Sequence, residues 1–338
     1  MSSKLDQRKK EHIQLALNSV LGVNDLDKRF NYEPLFSAHP KDEILEIHFG
    51  GKKVSAPLWI SSMTGGNKKA QMINIRLAKL AGEFGLGMGL GSCRALLEDK
   101  KTLTSFNLRP YLGDALPFYA NLGIAQIEKL IKLKASDKID EMLEKLRADG
   151  LIIHINPLQE WLQPEGDRLE RTSLEILEEF LEGRKMKVIV KEVGQGMGPQ
   201  SVRALLKLPL TAIEFAAFGG TNFSKLEILR GPAKNQFYNP LAHVGHSAQE
   251  MVDTVALETK ALGKKARTRE FIISGGVRNF LEGHCLMLKL SPHVKSCLYG
   301  QAGEILRHAE KGEKALRDYL EIQLVGLKIA RAFLKLRK

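Results

Sequence analysis

The sequence has no apolar run long enough to cross a membrane. A membrane-spanning helix needs about 18 or more apolar residues with few charges, and charged residues interrupt every long apolar stretch of this 338-residue chain. Residues 1–14, MSSKLDQRKKEHIQ, also lack the apolar segment of a secretory signal. We therefore expect a cytoplasmic protein with no membrane partner.

Cysteine is also scarce. The chain has three cysteines, Cys93, Cys285 and Cys297, and none of them forms a CxxC pair. A disulfide framework requires an even number of cysteines, and structural zinc sites usually combine closely spaced ones. The sequence therefore predicts three buried thiols and neither kind of site.

Aromatic residues make up only 7% of the chain, and no aromatic-rich nucleic-acid motif accompanies its formal net charge of +12. The basic excess lies largely in the terminal segments and in short Lys/Arg pairs. A nucleic acid and an anionic small molecule are both compatible with this charge, and we favour the small molecule. For residues 313–338 we favour a helix packed on the domain over a helix on a membrane surface.

Apolar runs and helical segments alternate along the chain. Eight runs are typical of buried strands: 56–62, 86–91, 117–122, 151–156, 187–193, 211–217, 271–274 and 294–299. Segments with helical periodicity follow most of them, at 67–84, 124–147, 173–182 and 199–207. This pattern favours an α/β fold, a closed (β/α)8 TIM barrel over residues 1–338, although an open doubly wound sheet shares much of it. Residues 1–50 would form an N-terminal arm with a helix to about Val20, and residues 222–265 an insertion or lid after strand six.

The segment 150–167 is the most informative part of the chain. Its apolar run ends with His154 and Asn156 on one face of a strand, and Gln159 and Glu160 follow within the exit loop. A lone histidine at this position is more often a core residue, but its polar neighbours favour a functional role. The carboxyl ends of barrel strands carry catalytic residues, and this set suits a phosphorylated substrate and a hard cation.

Glycine clusters follow four of the predicted strands, at 64–66, 219–221, 275–278 and 300–303. Each is compatible with a simple tight turn, but four at one end of a barrel indicate a phosphate or nucleotide-like cofactor. Lys191 closes the run KVIVK, where a buried ammonium needs an anionic partner such as a reduced flavin. The alternative is that Lys191 extends toward Glu192 or Glu214 at the strand end.

Two basic groups are candidate phosphate ligands. Arg8, Lys9 and His12 lie in the N-terminal arm, where Arg8 and His12 share a face if the segment is helical. Without further context this is a solvated basic stripe. Ser92, Cys93 and Arg94 follow the second strand and suit phosphate oxygens, although a helix cap beside a surface arginine fits equally well.

These motifs together resemble type 2 isopentenyl-diphosphate isomerase. The resemblance rests on RKxxH at 8–12, MTGG at 63–66, SCR at 92–94, NLG at 121–123, HIN-PLQE-WLQPEGD at 154–167, VKEVG at 190–194, FGGT at 218–221 and SGGVR at 274–278. It implies an FMN-dependent TIM barrel that uses Mg²⁺ and a reducing nicotinamide cofactor, NAD(P)H, to interconvert isopentenyl and dimethylallyl diphosphate. We also expect a homo-oligomer and a small-molecule diphosphate as the ligand, without nucleic acid.

The resemblance also implies a role for each matching residue. His154, Asn156 and Gln159 would be catalytic, and Glu160 would bind Mg²⁺. The substrate would contact Arg8, Lys9, His12, Ser92, Cys93, Arg94 and Gln159. FMN would be bound by Ser62, Met63, Thr64, Ser92, Asn121, Lys191, Thr221, Gly275, Gly276, Val277, Gln301 and Ala302.

Several positions depart from the family pattern. Cys93 replaces the usual Gln, Asn222-Phe223 replaces Ser-Trp, Glu214 replaces Asp, and GQAG at 300–303 matches the phosphate loop only loosely. These departures concern the local pocket contacts and the phosphate residues more than the activity itself. Two other functions stay open. One is an FMN-dependent barrel oxidoreductase acting on a small 2-hydroxy acid, and the other is a basic, non-catalytic barrel that binds RNA or an acidic surface.

Overall fold

The computed structural model describes residues 2–41, 45–62 and 68–337. Its strands are β1 (Phe30–Tyr32), β2 (Ile47–Phe49), β3 (Lys52–Val54), β4 (Leu58–Ile60), β5 (Gly87–Gly89), β6 (Phe118–Gly123), β7 (Gly150–His154), β8 (Val188–Lys191), β9 (Ala212–Glu214), β10 (Glu270–Ser274), β11 (Ser296–Gln301) and β12 (Leu334–Leu336). Strands β4 to β11 form a closed barrel in which neighbouring strands are parallel. The predicted TIM barrel is confirmed, and the open sheet is excluded.

The described part of the chain forms fourteen α-helices. They are α1 (Ser2–Ala16), α2 (Lys68–Phe84), α3 (Arg94–Glu98), α4 (Arg109–Leu112), α5 (Ile124–Lys132), α6 (Asp137–Leu146), α7 (Pro157–Leu162), α8 (Ser173–Leu181), α9 (Pro199–Lys207), α10 (Phe223–Arg230), α11 (Ala248–Leu262), α12 (Phe280–Leu290), α13 (Gly303–Lys311) and α14 (Glu313–Phe333). Every residue of β4, β5, β6 and β8 to β11 is buried. Burial on both faces explains why the strands read as continuous apolar runs rather than as alternating ones.

The β2–β3 hairpin closes the amino-terminal end of the barrel. Phe49 is fully buried, and its ring centroid lies 5.5 Å from that of Trp59 in β4. The Gly50 amide donates to Glu270 at the start of β10 over 2.7 Å, and the Gly50 carbonyl accepts from Lys187 Nζ over 2.7 Å. These contacts leave the carboxyl-terminal end as the open end.

The two terminal regions differ in burial. The side chains of residues 4–26 are exposed, including those on the described part of α1. The C-terminal helix α14 buries Leu316, Leu320 and Leu327 against the domain, which confirms the packed helix. Its last residue leads into β12, which pairs antiparallel with β1. Among the described residues, no helix is both long and apolar enough to span a bilayer.

Two predicted segments differ from the structure. Residues 124–147 form two helices, α5 and α6, because the chain turns at Lys134, whose φ of 51° is left-handed. Residues 222–265 contain α10, a 3₁₀ segment (Ala233–His243) and α11. Helix α11 packs against α9 and α12 in the outer ring of the barrel and buries Val252 and Val255. The insertion after β9 is therefore confined to the part before α11.

Candidate active site

A cavity of about 370 Å³ opens at the carboxyl ends of β4 and of β8 to β11, and we call it the carboxyl-end cavity. Eight of the predicted cofactor ligands line it: Ser62, Lys191, Thr221, Gly275, Gly276, Val277, Gln301 and Ala302. They come from five strand ends that are up to 240 residues apart in the sequence (302 minus 62). Barrel closure thus brings together the glycine clusters at 219–221, 275–278 and 300–303, as predicted. The fourth cluster, 64–66, and Met63 lie outside the described residues.

One side of this cavity is a backbone cradle. Gly275 has φ +87°, and a Cβ there would lie 2.1 Å from both the amide nitrogen and the carbonyl oxygen of Ala217. The loops after β9 and β10 therefore approach more closely than any side chain would allow. Helix α13 begins at Gly303 on the same wall, and Arg278 and Arg307 supply positive charge. Backbone amides, a helix N-terminus and two guanidinium groups together suit a phosphate.

The other side carries buried polar atoms without partners. Among the described residues, Ser61 Oγ, Ser62 Oγ and Glu214 Oε2 have no hydrogen-bond partner. Glu214 Oε1 accepts from Ser274 Oγ over 3.2 Å. Burial raises the pKa of the Glu214 carboxyl, although the Lys191 charge opposes that shift. Unpaired buried polar atoms are costly, so this side is suited to a ligand that offers both donors and acceptors.

Lys191 occupies the centre of a row across three strands. The strand register places it beside His154 of β7 and Glu214 of β9. Its Nζ donates to the Glu192 carbonyl over 2.8 Å, and the residue is only 8% exposed. The lysine therefore extends toward Glu192, as the alternative prediction held, and it also lines the carboxyl-end cavity.

His154 is held by an amide. Its Nδ1 lies 2.7 Å from Asn121 Oδ1, and Asn121 Nδ2 donates to the Leu90 carbonyl over 3.0 Å. Because the amide nitrogen is engaged by a carbonyl, Asn121 offers its oxygen to the ring, and Nδ1 carries the proton. Burial, together with the charge of Lys191, lowers the pKa of His154 to about 3. The imidazole is therefore neutral at physiological pH.

Glu160 lies in a second polar cluster, beside β7. One carboxylate oxygen accepts from Asn156 Nδ2 over 3.0 Å and the other from the Asp167 amide over 2.8 Å. Asn156 Nδ2 also donates to Gln159 over 3.1 Å. Arg94 joins this cluster through Asp167, with an N–O distance of 3.0 Å. The structure thus brings together the predicted residues 94, 156, 159 and 160.

Sequence reasoning missed several residues at these sites. Glu227 of α10 is 2% exposed and lies 3.5 Å from the Gln159 side-chain nitrogen that donates to it. Burial raises the pKa of Glu227, and the nearby Glu160 charge adds to this shift. The segment FSKLEILR looks like an ordinary surface helix, so its sequence gave no signal. Ser61, Asp167, Arg278 and Arg307 were missed as individual ligands as well, although the last two neighbour predicted glycine loops.

Other predicted residues do not reach these sites. Arg8, Lys9 and His12 are exposed on α1. Cys93 is fully buried, with Sγ 3.5 Å from the Gly91 carbonyl, and burial raises the pKa of its thiol to about 12. Ser92 is exposed beside it and accepts weakly from the Arg94 amide over 3.4 Å. Thr64 lies outside the described residues.

Comparison with known proteins gives a consistent result. No family model matches the chain. An isopentenyl-diphosphate delta-isomerase of Rickettsia typhi (strain ATCC VR-144 / Wilmington) is 32% identical, covering 96% of this chain and 92% of the relative. The protein of the same name from Synechococcus sp. (strain ATCC 27144 / PCC 6301 / SAUG 1402/1) is 33% identical, covering 97% and 92%.

Solved structures share the fold at much lower identity. A mandelate oxidase variant with a monooxide FMN adduct has a TM-score of 0.55 and 12% identity, covering 92% of this chain and 88% of that one. A flavocytochrome b2 variant with bound sulfite has a TM-score of 0.61 and 13% identity, covering 90% and 72%. These likenesses concern the barrel alone, whereas the curated relatives match over nearly the whole sequence, and on that basis the chain belongs to the isopentenyl-diphosphate delta-isomerase family.

Proposed function

We propose that this enzyme interconverts isopentenyl diphosphate and dimethylallyl diphosphate in isoprenoid biosynthesis. The observation that carries the proposal is identity of 32–33% to isomerases of that name over at least 95% of the chain. The mandelate oxidase and flavocytochrome b2 structures among the neighbours are only 12–14% identical, a likeness that supports a shared fold and not a shared reaction.

We propose FMN as the cofactor, held in the carboxyl-end cavity. The glycine cradle with Arg278 and Arg307 fits its phosphate, and the unpaired atoms of Ser61, Ser62 and Glu214 fit the donors and acceptors of a flavin ring. Reduced flavin, when bound, supplies a proton-exchanging nitrogen and an electron-rich face. NAD(P)H would serve only to reduce it.

The side chains available to Mg²⁺ support a site in which the substrate supplies part of the ligands. Within the described part of the chain, no group of three His, Cys, Asp or Glu side chains could hold a metal by itself. Mg²⁺ is commonly held by one or two carboxylates, waters and substrate phosphate oxygens. Glu160 would be that carboxylate, and the adjacent Asn156 Oδ1 is buried without a partner. Arg94 would share the diphosphate charge.

The chain's own residues would position the substrate and stabilise charge while the double bond moves to its allylic position. The reaction adds a proton to the terminal alkene carbon and removes one from the carbon next to the diphosphate-bearing methylene, with no net redox change. His154, Asn156 and Gln159 would position the substrate through neutral hydrogen-bonding groups. Lys191 would stabilise negative charge on the cofactor, and buried Glu227 would hold Gln159 in place.

The test is an assay of purified, FMN-loaded protein under anaerobic conditions with isopentenyl diphosphate, Mg²⁺ and NAD(P)H. We expect dimethylallyl diphosphate to form in large excess over the NAD(P)H consumed. Stoichiometric oxidation of a 2-hydroxy acid, with no isomerised diphosphate, would instead establish the oxidoreductase. A colourless protein that takes up no flavin and binds RNA would establish the basic barrel. Cytoplasmic location and a homo-oligomeric state stay predictions.

A further inference from the structure

Two hydrogen bonds connect the wall of the carboxyl-end cavity to helix α14. Gln301, the last residue of β11, lines the cavity and is 3% exposed. Its Nε2 donates to the Val277 carbonyl over 3.1 Å, and its Oε1 accepts from the Tyr319 hydroxyl over 2.8 Å. Val277 belongs to the glycine loop after β10, whereas Tyr319 lies in α14. Both ends of the Gln301 amide are therefore engaged within the protein.

The direction of these bonds follows from the groups involved. A carbonyl oxygen can only accept, so the amide nitrogen of Gln301 must face Val277 and its oxygen must face α14. The Tyr319 hydroxyl must then be the donor. Burial raises the pKa of Tyr319 to about 12, so the phenol keeps this proton at physiological pH. Removing the hydroxyl would leave a buried amide oxygen without its donor, which is costly.

Tyr319 also contacts the helix that begins at the cavity wall. Its ring stacks on that of His308 in α13, with centroids 4.3 Å apart and 15° between the planes. Helix α13 begins at Gly303, which lines the cavity together with Arg307. Tyr319 is therefore connected to both structures that suit a phosphate, the loop after β10 and the start of α13.

A second tyrosine–glutamine bond joins the same two elements away from the cavity. Tyr299 of β11 donates to Gln323 Oε1 of α14 over 3.2 Å, and both residues are buried. Neither belongs to the described residues that line the carboxyl-end cavity. Attachment of β11 to α14 is thus provided at Tyr299 as well. It does not by itself explain why Tyr319 binds a glutamine whose other end holds a cavity loop.

We propose that Tyr319 and Gln301 are positioning residues for the phosphate of FMN. The Tyr319 hydroxyl fixes the Gln301 amide, and the amide holds the Val277 carbonyl and with it the loop 275–278. A loop that is held in its binding conformation loses less entropy when the ligand binds. This inference rests on the proposed function, in which FMN occupies the carboxyl-end cavity. It gives α14 a part in cofactor binding, although none of the described residues of α14 lines the cavity.

The FMN affinity of the full-length protein, measured by flavin fluorescence, tests the proposal. Tyr319→Phe removes only the hydroxyl and keeps an aromatic ring beside His308. We expect it to raise the Kd for FMN at least about fivefold, the effect of one lost hydrogen bond, and to shift the ³¹P NMR signal of the bound phosphate. Gln301→Met should have a similar effect. Adding Tyr319→Phe to Gln301→Met should raise the Kd no further, because the two residues act as one unit.

Tyr299→Phe is the matched control, because it removes a tyrosine–glutamine bond between the same two elements. Both tyrosine variants should lower the free energy of unfolding, but Tyr299→Phe should leave the Kd for FMN and the ³¹P signal unchanged. An unchanged Kd in Tyr319→Phe, or an equal rise in the two tyrosine variants, would overturn the positioning role alone. A wild-type chain that binds no FMN would overturn the proposed cofactor as well.

Discussion

At the residue scale, three titratable side chains form a row at the carboxyl-end cavity: His154, Lys191 and Glu214. These side chains end three adjacent strands. The lysine charge holds the pKa of His154 down, in addition to burial, and it opposes the burial-driven rise in the pKa of Glu214. A single cation thus lowers the pKa of both neighbours, although burial is the larger influence on each.

Replacing Lys191 tests this arrangement. Lys191→Met keeps a similar side-chain volume but removes the charge, so the anionic reduced flavin should be less stable and the flavin reduction potential lower. Independently of the flavin, the pKa of His154 should rise in an NMR titration, since Lys191 contributes to its depression. Lys207→Met, on the exposed surface of α9, is the control. An unchanged potential together with an unchanged His154 titration would remove Lys191 from the site.

Glu160 is the second residue whose role can be isolated. Glu160→Gln replaces a carboxylate by a neutral amide, which binds a hard cation more weakly. Even changes to groups that support a metal ligand typically cost about 10–100-fold in activity, so we expect at least that loss, partly offset by high Mg²⁺, with FMN retained. Glu178→Gln, an exposed change on α8, is the control. Unaltered turnover and Mg²⁺ dependence would contradict the assignment.

At the element scale, the loops that follow the strands shape the candidate site more than the strands themselves do. The strands supply a rigid frame, whereas the β9 and β10 loops create the cradle by approaching one another through glycine. The insertion adds Glu227 from α10 to the polar cluster around Gln159. Its further role as a lid over the substrate stays a prediction.

The cradle can be tested with two glycines that both have a positive φ. Gly275 and Gly113 have φ of +87° and +79°, but an added Cβ at Gly113 would meet nothing within 4 Å. Gly113→Ala should therefore cost only backbone strain, roughly 1–3 kcal/mol of unfolding free energy, and keep FMN bound. Gly275→Ala should additionally open the cradle and release FMN. Flavin absorbance after gel filtration measures this, and equal FMN retention by both would refute a phosphate site at Gly275.

The N-terminal arm is a separate element with a separate test. Deleting residues 1–12 removes side chains that are all exposed over the described positions 4–12, so the barrel should stay folded and bind FMN. If Arg8, Lys9 and His12 fold over the diphosphate, KM should rise at least about tenfold, because charge-assisted contacts are each worth about 1.5–3 kcal/mol. A full-length triple variant should show the same rise in KM; its substitutions are Arg8→Gln, Lys9→Gln and His12→Gln. An unchanged KM in both would identify the arm as a solvated basic stripe.

At the scale of the whole molecule, the barrel has two different ends. The carboxyl end carries the unpaired atoms of Ser61, Ser62 and Glu214, whereas the amino end has structural ion pairs such as Asp149 with Lys52 and Arg109, at 2.6 and 2.8 Å. Those partners hold the pKa of the Asp149 carboxyl below its usual value against the effect of burial.

The neutral, partly buried His154 makes global stability depend on pH. Its folded pKa of about 3 lies below the unfolded value near 6.5, so its contribution is fully present above pH 6.5 and is lost as pH falls toward 3. Over that window the free energy of unfolding should fall by up to about 1.4 kcal/mol per pH unit from this group. Denaturation of the His154→Gln variant should show a correspondingly shallower slope. Identical slopes would indicate that folding does not lower the pKa of His154.

The sequence by itself determined the eight strands, the glycine loops and the His154–Glu160 cluster, because each depends on local spacing along one strand or its exit loop. It could not determine the break between α5 and α6. Nor could it show that Glu227 contacts Gln159, which lies 68 residues away in the sequence. The row of His154, Lys191 and Glu214 likewise arises only when the strands close in a specific register. Local patterns are set by the nearest neighbours in the chain, whereas these contacts are set by how distant elements pack together.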